Sequence, residues 1–230
     1  MNKNKNDVFN MILASTVHDM KNSLGMLGES LKSVFEHLSP QIMDEKTTDL
    51  YGVVQYEASR VNNSLMQLLA LYKLENEQLP FNPNYYNVYD FLDEQRLVHT
   101  PLLEAKSIKC EIDVDEALEA VFDECLLATV LENIIGNAIR YTQSKILIRC
   151  VQKKQLTIEV SDDGPGYPVQ MIELAGNYIS GINQSTGSTG LGLFFAQKIA
   201  EMHNHKNQCG KIKLSNGGDL GGGVFEISLP

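Results

Sequence analysis

Four clusters of residues along this 230-residue chain have types and spacings that chemistry can use. The first is His18-Asp19-Met20-Lys21-Asn22. Val17 and Met20 fall on an apolar helical seam, so His18 should point off that seam toward water. Asn22, one turn further on, shares its face. A carboxylate beside an imidazole can hold one ring nitrogen as N–H and leave the other with a free lone pair, the arrangement of a nucleophile. The alternative is an ordinary surface histidine. The second cluster lies on Leu131-Glu132-Asn133-Ile134-Ile135-Gly136-Asn137-Ala138-Ile139-Arg140-Tyr141. Leu127, Leu131, Ile134, Ile135 and Ala138 make its apolar face, and Asn133, Asn137 and Arg140 or Tyr141 make a second stripe. Two amides and a guanidinium on one face suit oxygen coordination of Mg²⁺ with a phosphate contact, unless the stripe is only a solvated face. In the third, Asp162-Asp163-Gly164-Pro165-Gly166 leaves a strand. Its glycines allow close approach of backbone to a ligand, and a carboxylate accepts hydrogen bonds from an exocyclic amine. A plain turn is the alternative. The fourth, Gly190-Leu191-Gly192, opens a helix whose backbone N–H groups suit a phosphate.

These clusters need elements to hold them. Residues 7–38 read as one long helix, because Leu13, Val17, Met20, Leu24, Leu27, Leu31, Val34 and Leu38 follow one another at alternating steps of 4 and 3. Ser39-Pro40 stops it. Tyr51, Val54, Ala58, Val61, Leu65, Leu68 and Tyr72 repeat the pattern at steps of 3 and 4. Two such helices with a short connection make an antiparallel hairpin. A lone hairpin cannot cover both seams, and a homodimeric four-helix bundle would; a hairpin packed on the rest of the chain is the other solution. Leu79-Pro80-Phe81-Asn82-Pro83-Asn84 reads as a linker. Beyond it the period changes. Helix is expected over 90–106, 123–141 and from about 192 to 203. Strands are expected over 108–114, 120–122, 146–151 and 156–160, with a closing hairpin of 211–214 and 224–229 around Asn216-Gly217-Gly218. The expected class is α+β, with residues 1–78 as a helical hairpin domain and residues 85–230 as an α/β sandwich.

Composition narrows the partners. Nineteen Lys and Arg stand against 29 Asp and Glu, for a net charge of -10. Without a basic cluster the chain is a poor ligand for nucleic acid, where phosphate neutralisation dominates affinity, or for anionic membrane surfaces. No apolar run approaches the roughly 20 residues of a membrane span, and the start lacks the apolar core of a signal peptide. Cys110, Cys125, Cys150 and Cys209 are widely spaced with no CxxC pair, which argues against a zinc site or a disulfide scaffold and for a reducing cytoplasm. His203 and His205, two histidines at i and i+2 after the last helix, make a poor metal site.

Taken together, the order and spacing of the four clusters resemble the sensor histidine kinases of bacterial two-component systems, from His18 to the Gly-Gly-Gly-Val-Phe-Glu-Ile-Ser-Leu-Pro terminus. The resemblance implies a dimerisation and phosphotransfer hairpin followed by an ATP-binding domain. It implies His18 as phosphoacceptor with Asp19 beside it, and Asn22 as the residue that orients a water for phosphatase activity. Asn133 and Asn137 match the asparagine box, with Asn137 at the usual Mg²⁺ position, and Arg140 and Tyr141 match the basic and aromatic positions that follow. Asp162, Gly164 and Gly166 match the first glycine box, whose aspartate reads the adenine amino group. Gly190, Leu191 and Gly192 match the second, next to the triphosphate. The implied cofactors are ATP and Mg²⁺, and the implied partner is the receiver domain of a response regulator. Three departures stand out. Ser23 occupies a position where relatives often carry a helix-bending proline. Ser188 replaces the first glycine of the second box, and residues 167–189 contain no Lys or Arg. Arg140 or Lys145 would then have to meet the γ-phosphate. A dimeric regulator or phosphotransfer adaptor with a decayed nucleotide pocket is the competing expectation.

Overall fold

The computed structural model describes residues 2–37, 45–152, 154–173 and 190–230. It consists of two compact units that divide between Leu79 and Pro80.

The first unit is a pair of long helices, α1 (Asn2–Glu36) and α2 (Glu45–Glu75), packed against each other. The short connection between them dictates antiparallel order. The heptad seam is covered on one flank only. Val17 is buried at 3% exposure and Leu24 and Leu31 are half-buried, whereas Met20, Leu27 and Val34 are 46%, 51% and 61% exposed. On α2, Ala58 and Leu65 are half-buried while Val61 and Leu68 lie open. Among the described side chains of α2, Gln67 and Leu71 are buried, each one residue short of the expected Leu68 and Tyr72. Leu38 and Ser39-Pro40 lie outside the described residues. No helix among the described residues is long and apolar enough to cross a membrane.

The second unit is α+β. A two-stranded ribbon pairs β1 (Asn84–Asn87) with β3 (Glu119–Phe122). A five-stranded mixed sheet runs in the order β2 (Lys109–Asp113), β4 (Lys145–Gln152), β5 (Leu156–Asp162), β9 (Gly223–Leu229), β8 (Lys211–Asn216), and only β2 and β4 are parallel. The helix expected over 90–106 is two helices, α3 (Val88–Val98) and α4 (Thr100–Ala105). Pro101 has no N–H to continue the ladder, so it breaks at His99. A short helix, α6 (Val169–Glu173), follows β5. Helices α3, α5 (Glu124–Tyr141) and α7 (Leu191–Met202) pack against the sheet. The register places Ile148, Val160, Phe225 and Leu214 in one row and Cys150, Ile158, Ile227 and Ile212 in the next, all buried. The apolar period of α5 supplies the facing layer, with Leu127, Leu131, Ile134, Ile135 and Ala138 buried as their spacing predicts.

A small hairpin, β6 (Asn204–His205) with β7 (Gln208–Cys209), follows α7. Between them the helices are stapled by His203. Its Nδ1–H donates to the Ile199 carbonyl (2.8 Å), its Nε2 accepts from the Asp123 N–H (3.0 Å), and Phe81 stacks edge-on at 4.9 Å. Asp123 caps α5 by accepting from the Leu126 N–H (3.0 Å) and holds the incoming chain through the Asn82 N–H (2.7 Å). His203 therefore joins the end of α7 to the start of α5.

Candidate functional site

Strand alternation decides where the key carboxylate points. Ile158 and Val160 face the helices, so Asp162, two residues on, faces them too, opposite the buried Ile146. Asp162 is 8% exposed. Its Oδ1 accepts from the backbone N–H groups of Gly164 (2.8 Å) and Gly223 (3.2 Å), and its carbonyl accepts from the Gly222 N–H (3.0 Å). The carboxylate lies against backbone that tolerates no side chain. A Cβ on Gly223 would come 2.9 Å from Oδ2, and one on Gly222 would collide with the Asp162 carbonyl. Gly164 is equally tight, against the Tyr141 carbonyl at the end of α5.

Helix α5 spans the distance between the two glycine segments. At its C-terminal end Tyr141 meets Gly164, and the Arg140 guanidinium lies over the Tyr141 ring, 5.4 Å from its centroid. Further back along the helix, Gly192 packs directly on the Asn133 amide, leaving no room for a Cβ. Gly190, at φ +64, takes the left-handed conformation that turns the chain into α7. The Asn133 Nδ2 is buried and has no hydrogen-bond partner among the described residues. A buried amide donor facing a glycine turn at a helix start is a position that a ligand oxygen would satisfy. Asn137, one turn on, completes the stripe and is half-buried. A buried acceptor for an amine, amide donors and a guanidinium along one helix, and a glycine-opened helix start fit an adenine nucleotide. An amide oxygen at Asn137 fits a hard divalent cation.

Asp163, the neighbour that sequence reasoning left unassigned, is a clamp. It accepts from the Gln143 N–H (2.8 Å), the Ser144 N–H (3.0 Å), the Ser144 hydroxyl (2.6 Å) and the Thr142 hydroxyl. Burial opposes its charge, but the hydrogen bonds from Ser144 and Thr142 outweigh that and hold its carboxyl well below the usual carboxylate range. It fixes the end of α5 to the end of β5, so Asp162 and the Arg140–Tyr141 arm stay in register. Gly222 and Gly223 were likewise not assigned. The run Gly221-Gly222-Gly223 was the available signal, but only three-dimensional proximity shows what it accommodates.

The expected residues do not all converge. Within the second unit, Asp162, Gly164 and Tyr141 meet at one end of α5 and Asn133 and Gly192 meet further back along it, with Arg140, Asn137 and Gly190 on the same elements. Gly166, at φ +80, continues the Asp162 loop. Lys145 belongs to the other side of the sheet, since it alternates with the helix-facing Ile146 and its Nζ pairs with Glu111 at 2.7 Å. Of the two cations considered for a terminal phosphate, Arg140 alone stands on the helix of the asparagine stripe. Asp19 and Asn22 are exposed on α1. His18 lies in α1, but its side chain is outside the described residues, as are Ser188 and the rest of 174–189.

Residues 122–230 match the family described as histidine kinase-, DNA gyrase B-, and HSP90-like ATPase. Among curated proteins, the chain is 26% identical over 201 residues to the sensor histidine kinase YvrG of Bacillus subtilis (strain 168), covering 84% of this chain and 34% of that protein. It is 26% identical over 228 residues to the sensor histidine kinase CssS of the same organism, covering 98% of this chain and 48% of that protein. The chain thus spans a third to a half of these two relatives. Full-length ShkA, solved in complex with AMPPNP, shares the fold with a TM-score of 0.66 over 96% of this chain and 45% of that one, at 19% identity.

Proposed function

We infer that this chain, a relative of the two-component sensor histidine kinases with an ATP-binding domain of the histidine kinase, gyrase B and HSP90 type, is an ATP-dependent protein histidine kinase. The observation that supports this most is the buried Asp162 carboxylate, held by glycine N–H groups on the same sheet-and-helix frame as the orphaned Asn133 amide. In this reading Asp162 accepts from the adenine amino group, and Asn133, Arg140 and the Gly190-Leu191-Gly192 turn receive the phosphates. Gly164 and Gly166 let the loop approach the base, and Tyr141 flanks it. Mg²⁺ held by Asn137 would neutralise phosphate charge.

The free imidazole nitrogen of His18 attacks the γ-phosphorus in line with the departing oxygen of ADP. An N–P bond forms as the O–P bond breaks. Asp19 holds the other ring nitrogen and stabilises the positive charge, assistance worth roughly 10²–10⁴-fold. The larger share comes from positioning and electrostatics. The phosphoryl group then passes to an aspartate of a response regulator. Asn22, one turn from His18, orients a water onto that regulator's acyl phosphate, which makes the protein a kinase and a phosphatase. The uncovered seam of Met20, Leu27, Val34, Val61 and Leu68 supports a homodimer, in which a second hairpin covers it. A groove along α1 and α2, lined by Lys21, Gly25, Gly28, Lys32 and Ser59, is accessible to the receiver domain. ATP and a receiver domain as substrates place the protein in the cytoplasm.

Calorimetric titration with Mg²⁺-ADP tests the nucleotide half of this reading. The native chain is expected to bind, Asp162→Asn to lose at least tenfold in affinity, and Asn137→Ala to bind ADP with little response to Mg²⁺. No binding by the native chain would support the decayed-pocket adaptor, which the lack of a basic residue in 167–189 favours. For the phosphatase half, Asn22→Ala should slow dephosphorylation of the regulator while leaving autophosphorylation intact. Equal loss of both would reduce Asn22 to a structural role.

A further inference from the structure

The Asp162 loop is held at a second point, 49 residues away in sequence. Asn216 ends β8, and its side-chain amide pairs with the main chain of Tyr167 like the edge of a strand. The Tyr167 N–H donates to Asn216 Oδ1 at 2.7 Å, and Asn216 Nδ2 donates to the Tyr167 carbonyl at 2.8 Å. Both bonds use the one orientation of the amide that satisfies donor and acceptor together. The preceding residue is shaped to this pairing. Gly166 sits at φ +80, and a Cβ there would come 2.7 Å from Asn216 Cγ. Tyr167 continues the same contact layer, because its ring carbons lie 3.1 and 3.3 Å from where a Cβ on Gly223 would be, and Gly223 in turn backs the Asp162 carboxylate. Asn216, Tyr167, Gly223 and Asp162 are therefore linked by direct contacts at the end of the sheet. Asp163 performs the matching task on the other side, toward α5.

We propose that Asn216 is a positioning residue of the nucleotide site, acting through Tyr167 to hold the Gly164–Gly166 turn against the adenine-reading carboxylate. This rests on the nucleotide reading given above. Asn216 touches no substrate atom. It sets the loop before the nucleotide arrives, so its loss falls on nucleotide affinity rather than on the rate of phosphoryl transfer. Two partly exposed hydrogen bonds correspond to about a three- to tenfold weakening.

The experiment uses the full chain and ADP. Asn216→Ala removes both bonds. Asn216→Asp is isosteric, keeps the acceptor for the Tyr167 N–H, and sets a carboxylate oxygen against the Tyr167 carbonyl. Calorimetry should show ADP affinity about three- to tenfold lower in both variants, with Tm within a few degrees of the native protein. Hydrogen exchange at the Tyr167 amide should quicken in Asn216→Ala and stay slower in Asn216→Asp. In autophosphorylation, KM for ATP should rise with kcat unchanged. Native affinity in Asn216→Ala, or a fall in kcat at unchanged KM, would overturn the proposal while leaving the nucleotide reading intact. A native chain that binds no ADP would overturn both.

Discussion

Two side chains outside the proposed chemistry hold the second unit together, and each leaves a measurable trace. Asp163 gathers hydrogen bonds from Thr142, Gln143 and Ser144. Asp163→Ala leaves those donors to water and should destabilise the unit by about 1–2 kcal/mol, with ADP affinity falling alongside because Asp162 and Arg140 lose their common brace. Urea unfolding and calorimetry read the two effects separately. His203 tests pH. Burial first, against the hydrogen bond to Ile199 and the nearby Asp123 charge, holds its pKa below the ordinary 6.5. The folded state thus keeps the ring neutral where the unfolded chain binds a proton, so stability is fully present above the ordinary histidine value and is lost as pH falls below it. The urea midpoint should drop between pH 7.5 and 5.5, and His203→Gln should flatten that slope. The sequence marks neither residue. Asp163 looks like any second turn carboxylate, and His203 like a tail histidine, because their roles depend on partners 19 to 80 residues away.

The elements divide by how local their causes are. Helix α5 and strands β4 and β5 are legible because an apolar period and a cap or a turn define each one within its own span. The ribbon strand β1 is not, since Asn84-Tyr85-Tyr86-Asn87 has no apolar alternation and owes its form to pairing with β3. The hairpin of β6 and β7 is two residues per strand, closed by Lys206 and Asn207 at positive φ, below what pattern can resolve. What the glycines accommodate is not legible in the sequence. Gly192 makes room for Asn133, and Gly222 for the Asp162 main chain. Gly222→Ala is therefore expected to cost about 1–3 kcal/mol by overpacking, measured by urea unfolding. Gly192→Ala should leave stability within about 1 kcal/mol, because the Asn133 amide can rotate aside, yet weaken ADP binding at least tenfold.

At the scale of the molecule, the hairpin covers only one flank of its seam, and the other presents Met20, Leu27, Val34, Val61 and Leu68 to solvent. An apolar stripe of this length on a monomer is a strong drive to association. Leu68→Lys and Val61→Lys together should shift the protein toward monomer in sedimentation equilibrium while leaving ADP binding by the second unit unchanged. The heptad spacing makes the seam readable in the sequence, but which flank the hairpin covers depends on how the two helices pack. In the proposed reaction His18 takes the phosphoryl group. Incubation with γ-labelled ATP and Mg²⁺ tests it most directly. The native protein should acquire acid-labile, alkali-stable label that is absent from His18→Gln and from Asn137→Ala. Label that persists in His18→Gln, or a native protein that binds nucleotide and never becomes labelled, would contradict it.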